Sequence, residues 1–273
     1  MEKKLLTIFG ASGLVGSSIL REALDRGYHV NGTLRDVDNQ DRITRLKSLP
    51  SGNNADFFSA NMADISSLDS PLKNADAVFI CCLIPTYKGF DGTPARELDD
   101  EKGYNEIIKP TVDGCLNILK TAKRNNVKNI LICSSTSSTN PIPPVSIKNE
   151  LDHWSDEKEQ CNSKKYTSAA KTYMEKAAFK FCNENNLRLS VFLPTGLYGP
   201  AVLPEHLKHN PFLWIKSVLE GGPPRHQKVP NDSASLIHLQ DLSKLLLAAY
   251  ENPSASGRYF GVLESFHWND IYK

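Results

Sequence analysis

The fold is decided by the stretch that runs Leu5-Leu6-Thr7-Ile8-Phe9-Gly10-Ala11-Ser12-Gly13-Leu14-Val15-Gly16. Its first five residues are mostly apolar, as in a buried strand, and a helical pattern follows. Gly10 allows a tight turn, Gly13 lets a pyrophosphate approach the backbone, and Gly16 lets helix and strand pack closely. Free N–H groups and the positive dipole end of the helix would face the phosphates. The stretch predicts a dinucleotide-binding site, although the same glycines also suit a turn that binds nothing.

The residue that follows the second predicted strand distinguishes two dinucleotides. The strand runs from Val30 to Leu34, and Arg35 comes next, where an acidic residue typically holds the ribose 2′-hydroxyl of NAD. A guanidinium can instead bind the 2′-phosphate of NADP with two hydrogen bonds, and Arg42 would add a second positive charge. We therefore predict NADP as the cofactor. In the alternative, Arg35 is a surface residue and Asp36 binds a ribose hydroxyl.

The composition excludes several classes of function. The 273 residues are 40% hydrophobic and 23% charged, which is ordinary for a soluble globular protein. Lys and Arg number 32 and Asp and Glu 31, so no positive excess indicates a nucleic acid or an anionic membrane as partner. No apolar run is long enough to span a membrane. The first strand begins too early for a signal peptide, which predicts a cytoplasmic protein.

The cysteines and histidines predict no metal site. The six cysteines form no C-x-x-C pair, and several lie in apolar runs, as buried free thiols do. His206 and His209 have no cysteines nearby, and we expect both on the surface.

Apolar strands and amphipathic helices alternate through the first two thirds of the chain, which predicts an α/β fold with a doubly wound parallel sheet of the Rossmann type. The predicted strands are Leu5–Phe9, Val30–Leu34, Asp56–Ala60, Asp76–Cys82, Val127–Cys133 and Leu187–Leu193. After Pro194 prolines cluster, and only one helix and a late strand near Gly257 are evident. We predict a dinucleotide-binding domain over residues 1–195 and a small, loop-rich substrate lobe over residues 196–273, with exchange of segments between them.

Polar residues at the carboxyl ends of these strands are candidates for catalysis, because ligands bind there in such sheets. Ser134 and Ser135 end the fifth strand, and Tyr166 and Lys171 lie on the helix before the sixth. In carbonyl reduction a tyrosine protonates the carbonyl oxygen, a lysine lowers the tyrosine pKa and holds the ribose, and a serine hydrogen-bonds the carbonyl. This set of residue types predicts reduction of an aldehyde or ketone.

Beyond the glycine turn, four further segments characterise the chain. They are Thr33-Leu34-Arg35-Asp36, Ile108-Lys109-Pro110-Thr111-Val112-Asp113-Gly114, Lys171-Thr172-Tyr173-Met174-Glu175-Lys176-Ala177-Ala178 and Glu251-Asn252-Pro253-Ser254-Ala255-Ser256-Gly257-Arg258-Tyr259. With them the chain resembles, nearly end to end, the extended short-chain dehydrogenases/reductases of the dihydroflavonol reductase-like branch. The resemblance implies NADPH, a carbonyl substrate that is often aromatic, and a Ser-Tyr-Lys centre with the spacing Y-x-x-x-K. It also implies that Ser135, with Ser134 as the alternative, is the catalytic serine.

The tyrosine and the lysine depart from that spacing. Tyr166 and Lys171 are five residues apart, and Thr167, too weak an acid to replace a phenol, stands four residues before the lysine. Positions i and i+4 of a helix share a face, whereas i and i+5 are offset by about 140°. Tyr166 remains the predicted proton donor if the helix begins after it or if a π-bulge absorbs the extra residue. In the third alternative Tyr166 is not catalytic.

The predicted site combines the glycine turn with the residues that the resemblance implies. The predicted catalytic residues are Ser135, Tyr166 and Lys171. The predicted cofactor-binding residues are Gly10, Ser12, Gly13, Leu14, Val15, Arg35, Asn61, Met62, Cys82, Lys171, Pro194 and Thr195. The apolar residues expected around the substrate are Leu83, Ile84, Pro85, Tyr87, Leu197, Tyr198 and Phe212-Leu213-Trp214, a composition that plain packing explains equally well.

Three functions fit these residues. The first is an NADPH-dependent carbonyl reductase acting on a hydrophobic, often aromatic, aldehyde or ketone. The second is an NAD-dependent nucleotide-sugar epimerase or dehydratase, which basic lobe residues such as Arg225 permit and Arg35 opposes. The third is an NADP(H)-binding sensor with an impaired centre, for which the displaced Tyr166 argues. Two long helices are predicted, at about Asn105–Asn125 and Tyr166–Glu184. The resemblance also implies a homodimer through this pair. The alanines of the second helix would allow close approach of two helices, but packing within one molecule explains them equally well.

Overall fold

The computed structural model describes residues 4–208 and 210–272, with strands and helices alternating along the chain. The strands are β1 (Leu5–Phe9), β2 (His29–Leu34), β3 (Ala55–Ser59), β4 (Ala77–Ile80), β5 (Asn129–Cys133), β6 (Arg188–Pro194), β7 (Leu197–Tyr198), β8 (Ser233–His238), β9 (Gly257–Gly261) and β10 (Glu264–His267). The helices are α1 (Leu14–Asp25), α2 (Gln40–Lys47), α3 (Asp69–Leu72), α4 (Asp100–Lys102), α5 (Lys109–Arg124), α6 (Glu157–Asn162), α7 (Tyr166–Glu184), α8 (Asn210–Leu219), α9 (Leu239–Glu251) and α10 (Trp268–Ile271).

The main sheet has seven strands in the order β3-β2-β1-β4-β5-β6-β9, and all its neighbours pair in parallel. The predicted doubly wound Rossmann sheet is confirmed, but the prediction of six strands was one too few. The late strand pairs with β6 in a register that aligns Phe192 with Tyr259. Periodicity finds such a strand but does not identify its partner, because pairing with a distant strand leaves no local sequence pattern.

Helices cover both faces of this sheet, as a parallel sheet requires. Leu6 and Ile8 of β1 share one apolar layer with residues of α1 and α9, whereas Phe9 shares the other layer with residues of α5 and α7. Asn126 and Asn186, after α5 and α7, adopt the left-handed conformation that commonly ends a helix. The chain thus turns directly into β5 and β6, whose carboxyl ends carry the candidate site.

A second, three-stranded sheet, in the order β10-β8-β7, stands beside the carboxyl end of β6. Only Thr195 and Gly196 separate β6 from β7. Gly196 has φ +51°, and a Cβ at this position would lie 2.2 Å from the Ser235 carbonyl oxygen. The tail is therefore more regular than the loop-rich lobe that its prolines predict. Within residues 4–208 and 210–272, no helix combines the length and apolarity that crossing a membrane needs.

The long helix predicted at 105–125 has an irregular beginning. Gly103–Ile108 form a π-helix that leads directly into α5. A side chain at Gly103 would lie 2.5 Å from the ring of Tyr166, so the glycine makes room for that ring. The Tyr166 ring therefore packs directly against the backbone of the π-helix.

Candidate active site

The glycine turn has the geometry of a phosphate-binding turn. Gly10 has φ +83°, which favours glycine, and a Cβ on Gly16 would lie 2.1 Å from the Gly10 carbonyl oxygen. Gly13 is exposed, and no described side chain caps the start of α1. The first N–H groups of the helix are therefore available to an anion. These features fit a dinucleotide diphosphate.

The end of β2 carries charges that bear on the choice of dinucleotide. Arg35 is exposed, and the Asp36 carboxylate accepts a hydrogen bond from the Asp38 backbone at 2.9 Å. Arg42, expected to add a charge at the same place, donates to Glu205 at 2.9 Å. Burial favours a raised pKa for Glu205, but its backbone amide and Arg42 outweigh burial and lower it, so the carboxylate is charged at neutral pH.

The end of β4 places one predicted residue beside the turn, and the end of β3 carries two more. A Cβ on Gly10 would lie 2.9 Å from the Cβ of Cys82, and burial raises the pKa of that thiol to about 11. After β3, Asn61 is exposed and its side chain accepts from the Ala63 amide. Met62 is buried, and its side chain fills the space above Gly114.

The serines that follow β5 have different surroundings. Ser134 is buried and its hydroxyl donates to the Glu175 carboxylate. Ser135 is half-buried, and its hydroxyl oxygen accepts from the Ser137 amide at 3.2 Å. The Ser135 proton can therefore be donated to a ligand, whereas the Ser134 proton is engaged within the protein.

Lys171 is half-buried on α7, one helical turn before Glu175. Burial lowers its pKa, and the nearby Cys133 and Glu175 oppose that effect. Among the described residues none accepts a hydrogen bond from its ammonium group. A cation held near the end of β5 without a hydrogen-bond partner is a fitting contact for a polar ligand such as a ribose.

The structure does not bring Tyr166 together with Lys171. Tyr166 is 1% exposed, and its hydroxyl donates to Asp100 at 2.7 Å. Its ring packs among Leu98, Ile107 and residues of α7. Burial, and then the Asp100 carboxylate, raise the pKa of Tyr166, so its proton is held more tightly than in water.

The reason for this position lies in α7 itself. The helix begins at Tyr166, not after it, and it is a regular α-helix throughout. The π-helix lies instead in the facing segment, Gly103–Ile108, where it does not change the register of α7. Five residues of regular helix therefore separate the directions of Tyr166 and Lys171 by about 140°. Thr167, four residues before Lys171, has the position that shares its face.

A buried ion pair lies behind the end of β5. Glu175 and Arg258 have side chains 0% and 4% exposed, and Arg258 Nε lies 3.1 Å from Glu175 Oε2. Arg258 also donates to Ser138 and stacks over the ring of Trp154, 3.5 Å from its centroid. Burial raises the pKa of Glu175 and lowers that of Arg258, despite their attraction. We call this set of residues the Glu175 network: Ser134, Ser138, Trp154, Glu175 and Arg258. It joins the end of β5 to α7 and β9.

A cleft of about 1360 Å³ opens beyond the carboxyl ends of β5 and β6. Thr136 and Thr195 line its inner side, and Pro194, before Thr195, is buried. Tyr198 and Trp214, two of the predicted substrate contacts, line the cleft as well. The other predicted contacts differ, since Leu83 is buried in the core and Tyr87 is 63% exposed.

The sequence did not predict Trp268 at the site, and it gave Arg225 only as a basic residue of the lobe. Trp268 and His226 line the cleft with ring centroids 4.5 Å apart, and Arg225 lies 5.3 Å above Trp268. His206, expected on the surface, is 1% exposed and contacts Ser12, while His209 lies outside the described residues. Glycine and proline spacing gave no sign of these contacts, because they form between distant parts of the chain.

Comparison with known proteins identifies the family. The model of the NAD dependent epimerase/dehydratase family matches residues 6–262. A bifunctional dihydroflavonol 4-reductase/flavanone 4-reductase of Malus domestica is 30% identical over 264 residues, which cover 94% of this chain and 71% of that protein. The chain therefore belongs to the NAD dependent epimerase/dehydratase family. Within it, the predicted resemblance to the extended short-chain dehydrogenases/reductases of the dihydroflavonol reductase-like branch is confirmed.

Solved structures share the fold across both kinds of chemistry. Gre2 from Candida albicans, in complex with NADPH, has a TM-score of 0.77 at 20% identity and covers 98% of this chain and 81% of its own. A UDP-N-acetylglucosamine 4-epimerase from Methanobrevibacter ruminantium has a TM-score of 0.74 at 19% identity, covering 100% of this chain and 81% of its own. The family binds a nicotinamide dinucleotide, and its curated relatives identify the chain as an oxidoreductase.

Proposed function

We propose that the chain is an NADPH-dependent carbonyl reductase that acts on a hydrophobic, aromatic aldehyde or ketone. The observation that carries this proposal is the combination of Ser135, which follows β5, with Lys171 of α7, which lies near the end of that strand. Ser135 has a hydroxyl proton to donate, and the Lys171 ammonium lies one helical turn from the Glu175–Ser134 bond, with no hydrogen-bond acceptor among the described residues. A carbonyl oxygen and a ribose are ligands that such groups hold well.

NADPH is favoured over NADH by the residues that follow β2. Arg35 is exposed and available to a 2′-phosphate, whereas Asp36 is engaged by the Asp38 amide in its own turn. A carboxylate in that turn is less available to a ribose 2′-hydroxyl. The glycine turn and the uncapped start of α1 would hold the diphosphate, and Lys171 the nicotinamide ribose.

The bound cofactor supplies the hydride, and the residues of the chain polarise and protonate the carbonyl. In this proposal Ser135 donates a hydrogen bond to the carbonyl oxygen and stabilises the charge that develops on it. Lys171 provides the proton, because burial lowers its pKa and makes its ammonium a stronger acid. Tyr166, predicted from sequence as the donor, has its proton held on Asp100.

The substrate class follows from the lining of the cleft. Tyr198, Trp214 and Trp268 offer aromatic surface, on which a flat apolar substrate stacks favourably. Thr136 and Thr195 line the side nearest the catalytic strand ends. A carbonyl directed towards Ser135 would therefore extend its ring towards the tryptophans.

NADPH oxidation measured across aromatic and aliphatic aldehydes tests this function. We expect Lys171→Met and Ser135→Ala to lose about two orders of magnitude or more in kcat, the usual contribution of a general acid or oxyanion donor. Tyr166→Phe should remain near the wild-type rate, and Ser134→Ala is the matched control for Ser135→Ala. A hundredfold loss in Tyr166→Phe would restore the tyrosine as proton donor. NADPH binding without any oxidation across the panel would favour the sensor.

A further inference from the structure

The segment Pro204–Lys208 lies against the glycine turn. His206 is 1% exposed, and its Nδ1 accepts a hydrogen bond from the Leu203 amide at 3.3 Å. Its Nε2 therefore carries the ring hydrogen and donates to the Ser12 carbonyl oxygen at 3.0 Å. A segment that follows β6 and β7 in sequence is thus fixed on the turn that would hold the cofactor diphosphate.

The neighbouring residue of this segment binds the helix that follows Arg35. Glu205 accepts from Arg42 Nε at 2.9 Å, and Arg42 lies in the first turn of α2, whose cap is Asn39. Since consecutive Cα atoms lie about 3.8 Å apart, Glu205 and His206 hold Arg42 and the glycine turn from adjacent positions. The Arg42 guanidinium is thereby kept in the region between that turn and the end of β2.

We propose that Glu205 sets the preference between NADPH and NADH by competing with the cofactor 2′-phosphate for Arg42. The proposal rests on the proposed function, because it needs a dinucleotide on the glycine turn. Both side chains are partly open to solvent, with 34% of Arg42 and 40% of Glu205 exposed. A pair of this kind contributes little to stability and exchanges readily, and a phosphate carries more charge than a carboxylate.

Removal of the Glu205 charge should therefore change the binding of one dinucleotide alone. In Glu205→Gln the Arg42 guanidinium is no longer neutralised, and the dissociation constant for NADPH should fall about fivefold, as expected for one charge contact in a high dielectric. NADH has no 2′-phosphate, so its dissociation constant should stay close to the wild-type value. The nucleotides 2′,5′-ADP and 5′-ADP, which lack the nicotinamide, should show the same contrast: the variant should bind 2′,5′-ADP more tightly than wild type does and 5′-ADP equally well.

The experiment is a titration of the full chain with each nucleotide by isothermal calorimetry. Glu251→Gln is the matched control. Glu251 pairs with Arg26 at 2.8 Å, and the side chains of this pair are exposed to a similar degree as those of Arg42 and Glu205. Glu251 lies far along the chain from the glycine turn. Arg42→Gln should abolish the effect of Glu205→Gln when the two are combined. At about 1 M salt the NADPH dissociation constants of the variant and of wild type should converge, because the Debye length is then only about 3 Å.

Each outcome decides the proposal. A rise in the ratio of NADPH to NADH affinity that disappears with Arg42→Gln supports it. An unchanged ratio, or an equal change for both dinucleotides, overturns it while the proposed function stands. A wild-type chain that binds neither dinucleotide overturns the proposed function, and this proposal with it.

Discussion

The hydroxyl of Tyr166 shows how one position in a helix directs a side chain. It donates to Asp100 at 2.7 Å, within a layer formed with Leu98 and the π-helix. A buried, satisfied hydroxyl of this kind contributes about 1 kcal/mol to the free energy of unfolding. The expected consequence of its removal is therefore a change in stability.

We predict that Tyr166→Phe lowers the free energy of unfolding by about 1 kcal/mol at neutral pH. Its raised pKa means that Tyr166 contributes stability fully below the unfolded value of about 10, and that this contribution is lost as the pH rises through the folded value. Wild type should therefore lose more unfolding free energy than Tyr166→Phe above about pH 10. Urea unfolding at several pH values measures both; parallel losses in the two proteins would contradict it.

The glycines of the turn differ in how much space an alanine side chain would have. At Gly13 the nearest atom is the Gly10 carbonyl oxygen, 3.2 Å away, whereas at Gly16 the same oxygen lies 2.1 Å away. We predict that Gly13→Ala loses less unfolding free energy than Gly16→Ala, because the Gly10 carbonyl must move by only a few tenths of an ångström, but that it binds NADPH more weakly. Gly16→Ala should lose about 1–3 kcal/mol of unfolding free energy, the usual effect of overpacking. Thermal unfolding and calorimetry separate the two effects, and equal stability of both variants would count against this geometry.

At the scale of elements, the Glu175 network ties together three that do not follow one another in sequence. Glu175 lies on α7, Ser134 follows β5 and Arg258 lies on β9. Replacement of one partner leaves the other charge buried without compensation. Breaking a buried pair in this way destabilises proteins by about 3–5 kcal/mol.

We predict that Glu175→Gln loses about 3–5 kcal/mol of unfolding free energy and that Glu175→Met combined with Arg258→Met recovers a large part of it. The recovery is expected because an apolar pair removes both desolvated charges. Chemical unfolding with two probes measures the loss. A double variant as unstable as Glu175→Gln would show that the pair contributes more than charge balance.

The contrast between α7 and the Glu175 network shows what sequence can predict. The bounds of α7 were predicted correctly, because a helix is determined by local periodicity and capping. The offset between Tyr166 and Lys171 followed from the same periodicity. Arg258 and His206 were not recognised, because their partners Glu175 and Ser12 lie far away in sequence. Tertiary contacts of single polar residues leave no pattern in the sequence around them.

At the scale of the whole molecule, the tail completes the core of the first domain. Arg188 of β6 donates to the backbone carbonyls of Ala249, Tyr250 and Asn252, at the end of α9. Helix α9 packs on α1, and β9 forms the edge of the main sheet beside β6. The division at residue 195, predicted from sequence, is therefore best tested by separating the two parts.

We predict that residues 1–195 do not fold alone into a cooperative domain, because they lack α9 and β9 and expose β6 as an unpaired edge. The fragment should bind NADPH at least tenfold more weakly than the full chain and show no sharp thermal transition. Circular dichroism and calorimetry measure both properties. A fragment with a cooperative transition and wild-type affinity would establish residues 1–195 as an independent domain.

The short connection from β6 to β7 has a consequence for motion. Within residues 4–208 and 210–272 the chain passes between the two sheets three times, from β6 to β7, from β8 through α9 to β9, and from β9 to β10. Three links, two of them only two residues long, resist rotation of one sheet about the other as rigid bodies, unlike a single hinge. Val145 and Lys148 line the cleft from a loop, as do Arg225 and Pro230. Substrates should therefore be admitted by the bending of such loops, while the ends of β5 and β6 stay in place.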